Sequence, residues 1–305
     1  MLDICLLGTG GMMPMPSRFL TAMLARLNGR LLLVDCGEGT QVTMKMLGWG
    51  FKAIDVICIT HFHADHISGL PGLLLTIGNA GRTEPLTMIG PQGLAYVVEG
   101  LRRIASELPF PIEYIELDKN TESPIQAGEF SISFCPADHM VKCYAYRLDL
   151  KRRGKFDIKK AEKLGLPKKL WGVVQKQGSV EYEGKTYTAD MVLGESRKGI
   201  SVAYCTDSRP TAKLQEFAKG VQLFICEGMY GDDEKKPKAK ENKHMLFSEA
   251  ARMAKNAGAE KLWLTHFSPS LNEPEEYLEA AKAIFPETEL GEERKQMTVY
   301  FPKEE

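Results

Sequence analysis

The stretch Ile54-Asp55-Val56-Ile57-Cys58-Ile59-Thr60-His61-Phe62-His63-Ala64-Asp65-His66 constrains this chain more than any other. Val56 to Ile59 is a short apolar run, the pattern of a strand buried on both faces. His61, His63, Asp65 and His66 then follow within six residues. In extended backbone, residues two apart point to the same side, so His61 and His63 can hold one metal ion between them. On a helix the same pair would diverge. Asp65 and His66 come as the chain turns, and their different direction suits a second ion. Imidazole nitrogen with carboxylate oxygen is a zinc-type donor set, although carboxylate-containing sites also accept manganese or iron.

The same arrangement recurs further along. Ala203-Tyr204-Cys205-Thr206 precedes Asp207, and Leu262-Trp263-Leu264-Thr265 precedes His266. Each is an apolar strand ending in threonine and then a ligand, as at Thr60-His61. A fourth strand, Phe130 to Cys135, leads to His139. Open α/β folds gather their sites at strand ends. If these strands share one sheet edge, all of their ligands converge there.

Bulk properties bound the alternatives. With 305 residues the chain is one large domain or two small ones. Net charge is −1, so no global basicity announces nucleic acid. No apolar run approaches the roughly 18 residues of a membrane helix, and the N-terminus has no signal-peptide pattern. The seven cysteines form no CxxC pair, and Cys58, Cys205 and Cys226 sit in strand-like runs. They read as buried thiols of a cytoplasmic protein. Charge is uneven, however. Residues 151–185 carry eleven Lys and Arg against four Asp and Glu, a local +7, so the remainder carries −8.

Element signals are spread along the whole chain. Leu2 to Leu7 reads as a strand before a glycine turn, and Asn28-Gly29 as a two-residue hairpin turn. Helical composition covers Glu38 to Leu47, stopped by Gly48, and a helix opens within Gly72 to Ile77. Leu86 to Ile89 is a strand, followed by a helix from Pro91 to Glu107. Further strands fall at Ile112 to Leu117, Cys143 to Leu148, Ile200 to Cys205, Val221 to Cys226, Lys261 to Leu264 and Met297 to Phe301. Helices fall at Phe247 to Asn256, before Gly258, and at Glu273 to Ile284. The stretch from 151 to about 199 has little core-forming pattern, and Gly231 to Lys243 reads as a charged loop. Strands alternating with helices, with early hairpins, imply an α/β fold.

His61-Phe62-His63-Ala64-Asp65-His66 matches the HxHxDH signature of the metallo-β-lactamase superfamily. Gly8-Thr9-Gly10-Gly11, Asp35-Cys36-Gly37-Glu38-Gly39-Thr40-Gln41 and Gly69-Leu70-Pro71-Gly72-Leu73-Leu74 extend the match. Together they resemble ribonuclease Z, the tRNA 3′-processing endoribonuclease family. That resemblance implies an αββα sandwich, two β-sheets packed face to face with helices outside, in one domain over 1–305. It implies two zinc ions, the first on His61, His63 and His139 and the second on Asp65, His66 and His266, with Asp207 bridging. It also implies that Asp65 orients or deprotonates the attacking water. His244, in the stretch His244 to Ala251 that resembles the family's HxxxxEAA, would protonate the leaving 3′-oxygen, oriented by Glu227. Such a pair is what leaving-group protonation needs near neutral pH.

The resemblance further places an inserted flexible arm at 151–199, carried on Phe156-Asp157, Leu164-Gly165-Leu166-Pro167, Leu170-Trp171-Gly172 and Leu193-Gly194. The local basic excess would give that arm a phosphate-binding face for a tRNA precursor. The family is commonly homodimeric. The family's Gly-Pro pair at the arm tip is missing here, and Arg18 is the only cation in the Pro14 to Phe19 loop. The expected activity is therefore hydrolytic removal of 3′ trailers from tRNA precursors. The alternative on the same ligands is a dinuclear-zinc phosphodiesterase for small or cyclic phosphodiesters.

Overall fold

The chain is a four-layer arrangement in its larger part, seen in a computed structural model that describes residues 1–105 and 107–303. Strands β1 (Leu2–Gly8), β2 (Ala22–Leu27) and β3 (Arg30–Val34) lead into α1 (Thr40–Leu47), β4 (Ile54–Cys58), α2 (Ala64–Ile67) and α3 (Leu70–Asn79). After them come β5 (Leu86–Pro91), α4 (Leu94–Leu101) and β6 (Ile112–Leu117). Strands β7 (Ile125–Ala127), β8 (Phe130–Pro136) and β9 (Tyr144–Arg152) precede α5 (Ile158–Lys163), α6 (Lys168–Gln177), the hairpin β10 (Ser179–Tyr182) and β11 (Lys185–Thr188), and α7 (Ala189–Val192). The chain continues through β12 (Arg197–Cys205), α8 (Ala212–Phe217), β13 (Leu223–Glu227), α9 (Lys236–Glu241), α10 (Phe247–Ala257) and β14 (Leu262–Thr265). It ends with α11 (Leu278–Ile284), β15 (Thr288–Leu290) and β16 (Gln296–Val299).

Two seven-stranded sheets form, in the orders β16-β1-β2-β3-β4-β5-β6 and β15-β14-β13-β12-β9-β8-β7. Side-chain alternation shows how they are covered. In the first sheet Cys5, Leu7, Leu24, Leu33, Ile57 and Met88 pack with helix residues Met44, Leu70, Leu73, Ile77 and Val98. In the second, Ala203, Cys205, Phe224, Cys226 and Leu264 pack with Leu214, Phe247, Ala250 and Ala254. The alternate residues, including Ile4, Met23, Leu32, Val56, Tyr146, Val202, Tyr204 and Ile225, are just as buried but face away from those helices. They meet between the sheets. Polar ties cross the same gap: the Tyr204 hydroxyl lies 2.9 Å from Thr21 Oγ1, and the Tyr146 hydroxyl donates to the Ile59 carbonyl at 2.8 Å.

The chain is divided between two compact units. One is Met1–Asp149 with Ser201–Tyr300, which holds both sheets; the other is Leu150–Ile200 with residues 301–303. The second unit has a small apolar centre of its own, in which Ala161, Leu166, Val174, Tyr187 and Val192 pack with Phe156, Leu170 and Trp171. The sequence pattern does not reveal this core because its residues come from elements of four to ten residues, too short to show a period.

Several boundaries also differ from expectation. Pro91 ends β5 instead of starting a helix; the helix begins at Leu94 after Gly93 turns with φ 92°. Of the expected Pro91 to Glu107 helix, Ser106 lies outside the described residues. The expected loop from Gly231 to Lys243 contains α9 and a 3-10 turn at Asp233–Lys235. All seven cysteines are buried and free. Among the described residues no helix is long and apolar enough to cross a membrane.

Tyr146→Phe removes a buried hydroxyl that ties the second sheet to the residue two before His61. It should lower stability by about 1–2 kcal/mol, the usual worth of a buried hydrogen bond, read as a lower urea midpoint at unchanged slope.

Candidate metal centre

Every candidate ligand sits just beyond the C-terminal end of a strand or at the turn after it. His61 and His63 follow β4, with Asp65 and His66 in the first turns of α2; His139 follows β8; Asp207 follows β12; His266 follows β14. The expectation of a single sheet edge is not met. β4 belongs to the first sheet, whereas β8, β12 and β14 belong to the second. The ligands converge across the mouth between the two sheets. Apolar strand runs look alike in either sheet, so the sequence could not assign them.

Local backbone geometry aims these side chains. Asp35 and His266, each directly after a strand, and Asp207, one residue further beyond β12, adopt left-handed φ values of 60°, 58° and 45°. That conformation costs roughly 1 kcal/mol for a residue with a β-carbon, and it turns each side chain out of the strand's alternation into the mouth. The turn at Gly11 closes the site from another side. A β-carbon there would stand 2.8 Å from Cε1 of His266, and the next amide, Met12 N–H, donates to Asp65 Oδ2 at 2.7 Å.

Two groups of donor atoms result, each with all members within 4.8 Å of one another: His61, His63, His139 and Asp207, and then Asp65, His66 and His266; a third grouping, Asp207 with His244 and His266, overlaps them. Asp207 joins them. Its Oδ1 lies 3.1 Å from His66 Nε2 and 3.2 Å from His266 Nε2, while its Oδ2 lies 3.7 Å from His139 Nε2 and 3.8 Å from His61 Nε2. His66 Nε2 and His266 Nε2 face each other at 3.2 Å. His61 Nε2 and Asp207 Oδ1 are buried without a hydrogen bond. Lone pairs pointed at one another and left unpaired in the interior are unfavourable unless a cation sits among them. The donor set therefore fits divalent metal.

Outer partners fix which nitrogen is free. His66 Nδ1–H donates to Asp35 Oδ2 at 2.8 Å, and His139 Nδ1–H to the Lys243 carbonyl at 3.3 Å, so each turns Nε2 toward the cluster. Asp35 Oδ1 also accepts Thr60 N–H at 2.8 Å, locking the residue before His61. Sequence reasoning assigns Asp35 no role of its own; its signal is an acid placed directly after the apolar run Leu31–Val34. Burial lowers the His61 pKa to about 2, and His66 adds to that, so His61 stays neutral. His139 is lowered as well, again chiefly by burial. Burial opposes charge on His66 too, but Asp207 and Asp35 outweigh it and raise its pKa far above the ordinary value.

His244 and Glu227 stand beside the cluster. Glu227 is buried at the end of β13; its Oε2 accepts His244 Nδ1–H at 3.0 Å and its Oε1 accepts Ser208 N–H at 2.5 Å. His244 Nδ1 lies 3.8 Å from Asp207 Oδ2. Burial would depress the His244 pKa, yet Glu227, with Asp207 and Asp65 adding, raises it to about 9.

Comparison with known proteins separates two matches. The family model of the anti-Pycsar protein Apyc1 matches residues 2–156. That span covers His61 to His66 and His139 but stops short of Asp207, Glu227, His244 and His266. The ribonuclease Z of Lachnoclostridium phytofermentans is 53% identical over 305 residues, covering 100% of both chains. The chain belongs to the ribonuclease Z family. Solved structures bear out the metallo-β-lactamase fold. Human tRNase Z, short form, has a TM-score of 0.70 at 23% identity over 98% of this chain and 100% of that one. The metallo-β-lactamase fold protein YhfI from Bacillus subtilis gives 0.69 at 21% identity, covering 97% and 98%.

Asp207→Ala should keep the fold and lose divalent metal, measured by elemental analysis after gel filtration. Metal affinity of the intact protein should weaken as pH falls. The His66 pKa is raised, so a proton competes for its Nε2 increasingly toward acid pH; an affinity flat across pH 5 to 8 would contradict that competition.

Proposed function

We propose that the two donor groups hold a pair of divalent ions, zinc foremost, with Asp207 shared, and that Asp65, Glu227 and His244 act beside them. As a member of the ribonuclease Z family, the protein is a metal-dependent endoribonuclease that removes 3′ trailers from tRNA precursors by phosphodiester hydrolysis. When bound, such a metal pair supplies Lewis-acid polarisation of a phosphoryl oxygen and acidifies water. The protein's own groups do the rest. Asp65, held by Met12 N–H, would orient the attacking water and take its proton. His244 carries a proton on each nitrogen when charged. With Nδ1–H committed to Glu227, it offers Nε2–H to the leaving 3′-oxygen.

The single observation that carries this reading is the Glu227–His244 pair, hydrogen-bonded at 3.0 Å and 3.8 Å from Asp207, with the carboxylate raising the His244 pKa. Hydrolysis that expels a poor leaving group such as a ribose 3′-oxygen needs such an acid. Reactions with stable leaving groups do not; a small or cyclic phosphodiester that expels an alkoxide would use the same pair, so the choice of RNA is supported by the family match and not by the pair.

Incubation with a 3′-extended tRNA precursor beside a p-nitrophenyl phosphodiester tests both. His244→Ala should retain metal and lose about 10²–10⁴-fold in rate on the precursor, with a much smaller loss on the p-nitrophenyl substrate. Equal losses would remove the acid role. Glu227→Gln should lower the pKa of His244, because the carboxylate raises it. The alkaline limb of the pH–rate profile, where the acid loses its proton, should then move to lower pH.

Supporting the choice of RNA is the basic segment 151–199, read as the surface that takes the tRNA precursor's phosphates. Lys159, Lys163, Lys169 and Lys176 are exposed there. Replacing all four by alanine should leave p-nitrophenyl hydrolysis intact and raise KM for the precursor. The dependence of binding on salt should become shallower, by about 0.7–0.9 log units per log unit of salt for each phosphate no longer neutralised. An unchanged slope would make the segment a bystander. A cytoplasmic, homodimeric enzyme is the assembly this reading carries with it.

A further inference from the structure

The general acid is fastened at two points, and only one of them is Glu227. Arg209 lies two residues beyond Asp207, and its guanidinium reaches the far side of the His244 turn. Nη1 donates to Glu249 Oε2 at 2.8 Å and Nη2 to Glu249 Oε1 at 2.5 Å, a bidentate pair. Nη1 also donates to the backbone carbonyl of His244. Glu249 in turn accepts Leu246 N–H at 3.1 Å, at the start of α10. The arginine and glutamate side chains are 13% and 8% exposed, so the pair is poorly screened.

The backbone around Arg209 is tied as well. Arg209 N–H donates to the Asp138 carbonyl at 3.0 Å, and Ser208 Oγ accepts Asp138 N–H at 3.0 Å, next to His139. Lys243, just before His244, holds a left-handed φ of 60°. A turn in that conformation needs external restraint to stay populated. His244 is thus held at its ring by Glu227 and at its main chain by Arg209.

We propose that Arg209 is a positioning residue for leaving-group protonation: it fixes the main chain of His244 so that the imidazole meets the leaving oxygen. The inference rests on the reading of His244 as the acid. Arg209 touches neither ring nor substrate in this scheme; it acts through the His244 carbonyl and Glu249. A displacement of the acid by about 1 Å can cost on the order of 10²-fold in rate.

The test uses the full-length, metal-loaded enzyme with two substrates, a 3′-extended tRNA precursor and bis(p-nitrophenyl) phosphate, whose leaving group needs no proton. Arg209→Met should lower kcat on the precursor by about 10–10²-fold, with KM and metal content nearly unchanged and little loss on the p-nitrophenyl substrate. Arg209→Lys, which cannot make the bidentate pair, should recover only part of the rate. In a His244→Ala background, Arg209→Met should cost almost nothing more, because the two changes remove one function. Arg209→Met alone strands a buried carboxylate, so Arg209→Met with Glu249→Gln provides a variant without that charge, and it should show the same split between substrates. Equal losses on both substrates, accompanied by metal loss, would overturn the proposal and make Arg209 a support of the Asp207 loop. Full precursor activity in the paired variant would also overturn it. If His244→Ala itself lacks the leaving-group split, the parent reading fails; if it shows the split and Arg209→Met does not, this inference alone fails.

Discussion

The constraint on which this structure turns is electrostatic. Two carboxylates and five imidazoles point their lone pairs into one small volume, with Asp207 in the middle. No arrangement of hydrogen bonds among these groups can satisfy them all, and His61 Nε2 and Asp207 Oδ1 are left without partners. The surrounding chain bears the consequences. Strand ends take up left-handed backbone, a glycine stands where a β-carbon would strike His266, and Asp35 spends its carboxylate on the residues that aim the ligands. Packing between the sheets keeps the arrangement from relaxing.

Much of that centre was legible in the sequence because its parts are local. Apolar runs ending in Thr-His or Thr-Asp announce buried strands with a polar residue at the tip, and all of the candidate ligands named from the sequence lie in the two donor groups. The Asn28-Gly29 hairpin and the Gly48 and Gly258 helix ends followed from turn chemistry alone. What escaped was non-local. Nothing in an apolar run says which of two sheets it joins, so the convergence at a single edge was misjudged. Pro91 suits a strand end as well as a first helical turn, and only Gly93 decides between them. Asp35 and Arg209 escaped because their partners lie far off, 31 residues on for Asp35 to His66 and 40 for Arg209 to Glu249.

Comparison with relatives narrowed what the metal ligands alone leave open. The first half of the chain carries ligands that fit several reactions. The later half adds Glu227 and His244, and the ribonuclease Z match runs across it at full length.

The convergence across two sheets has a consequence for how the protein is made. Each donor group draws from both halves of the sequence: His61 and His63 meet His139 and Asp207, and Asp65 and His66 meet His266. A nascent chain made only as far as β6 would hold two candidate ligands of each group, His61 with His63 and Asp65 with His66, too few to retain an ion firmly. On the proposed reading, capture would wait until the strands before His139, Asp207 and His266 have been made and laid against β1 to β6. Bound ions would then tie the end of β4 to the ends of β8, β12 and β14 across the mouth. Free metal concentration would then add to stability by mass action, on top of the packing that holds the metal-free fold.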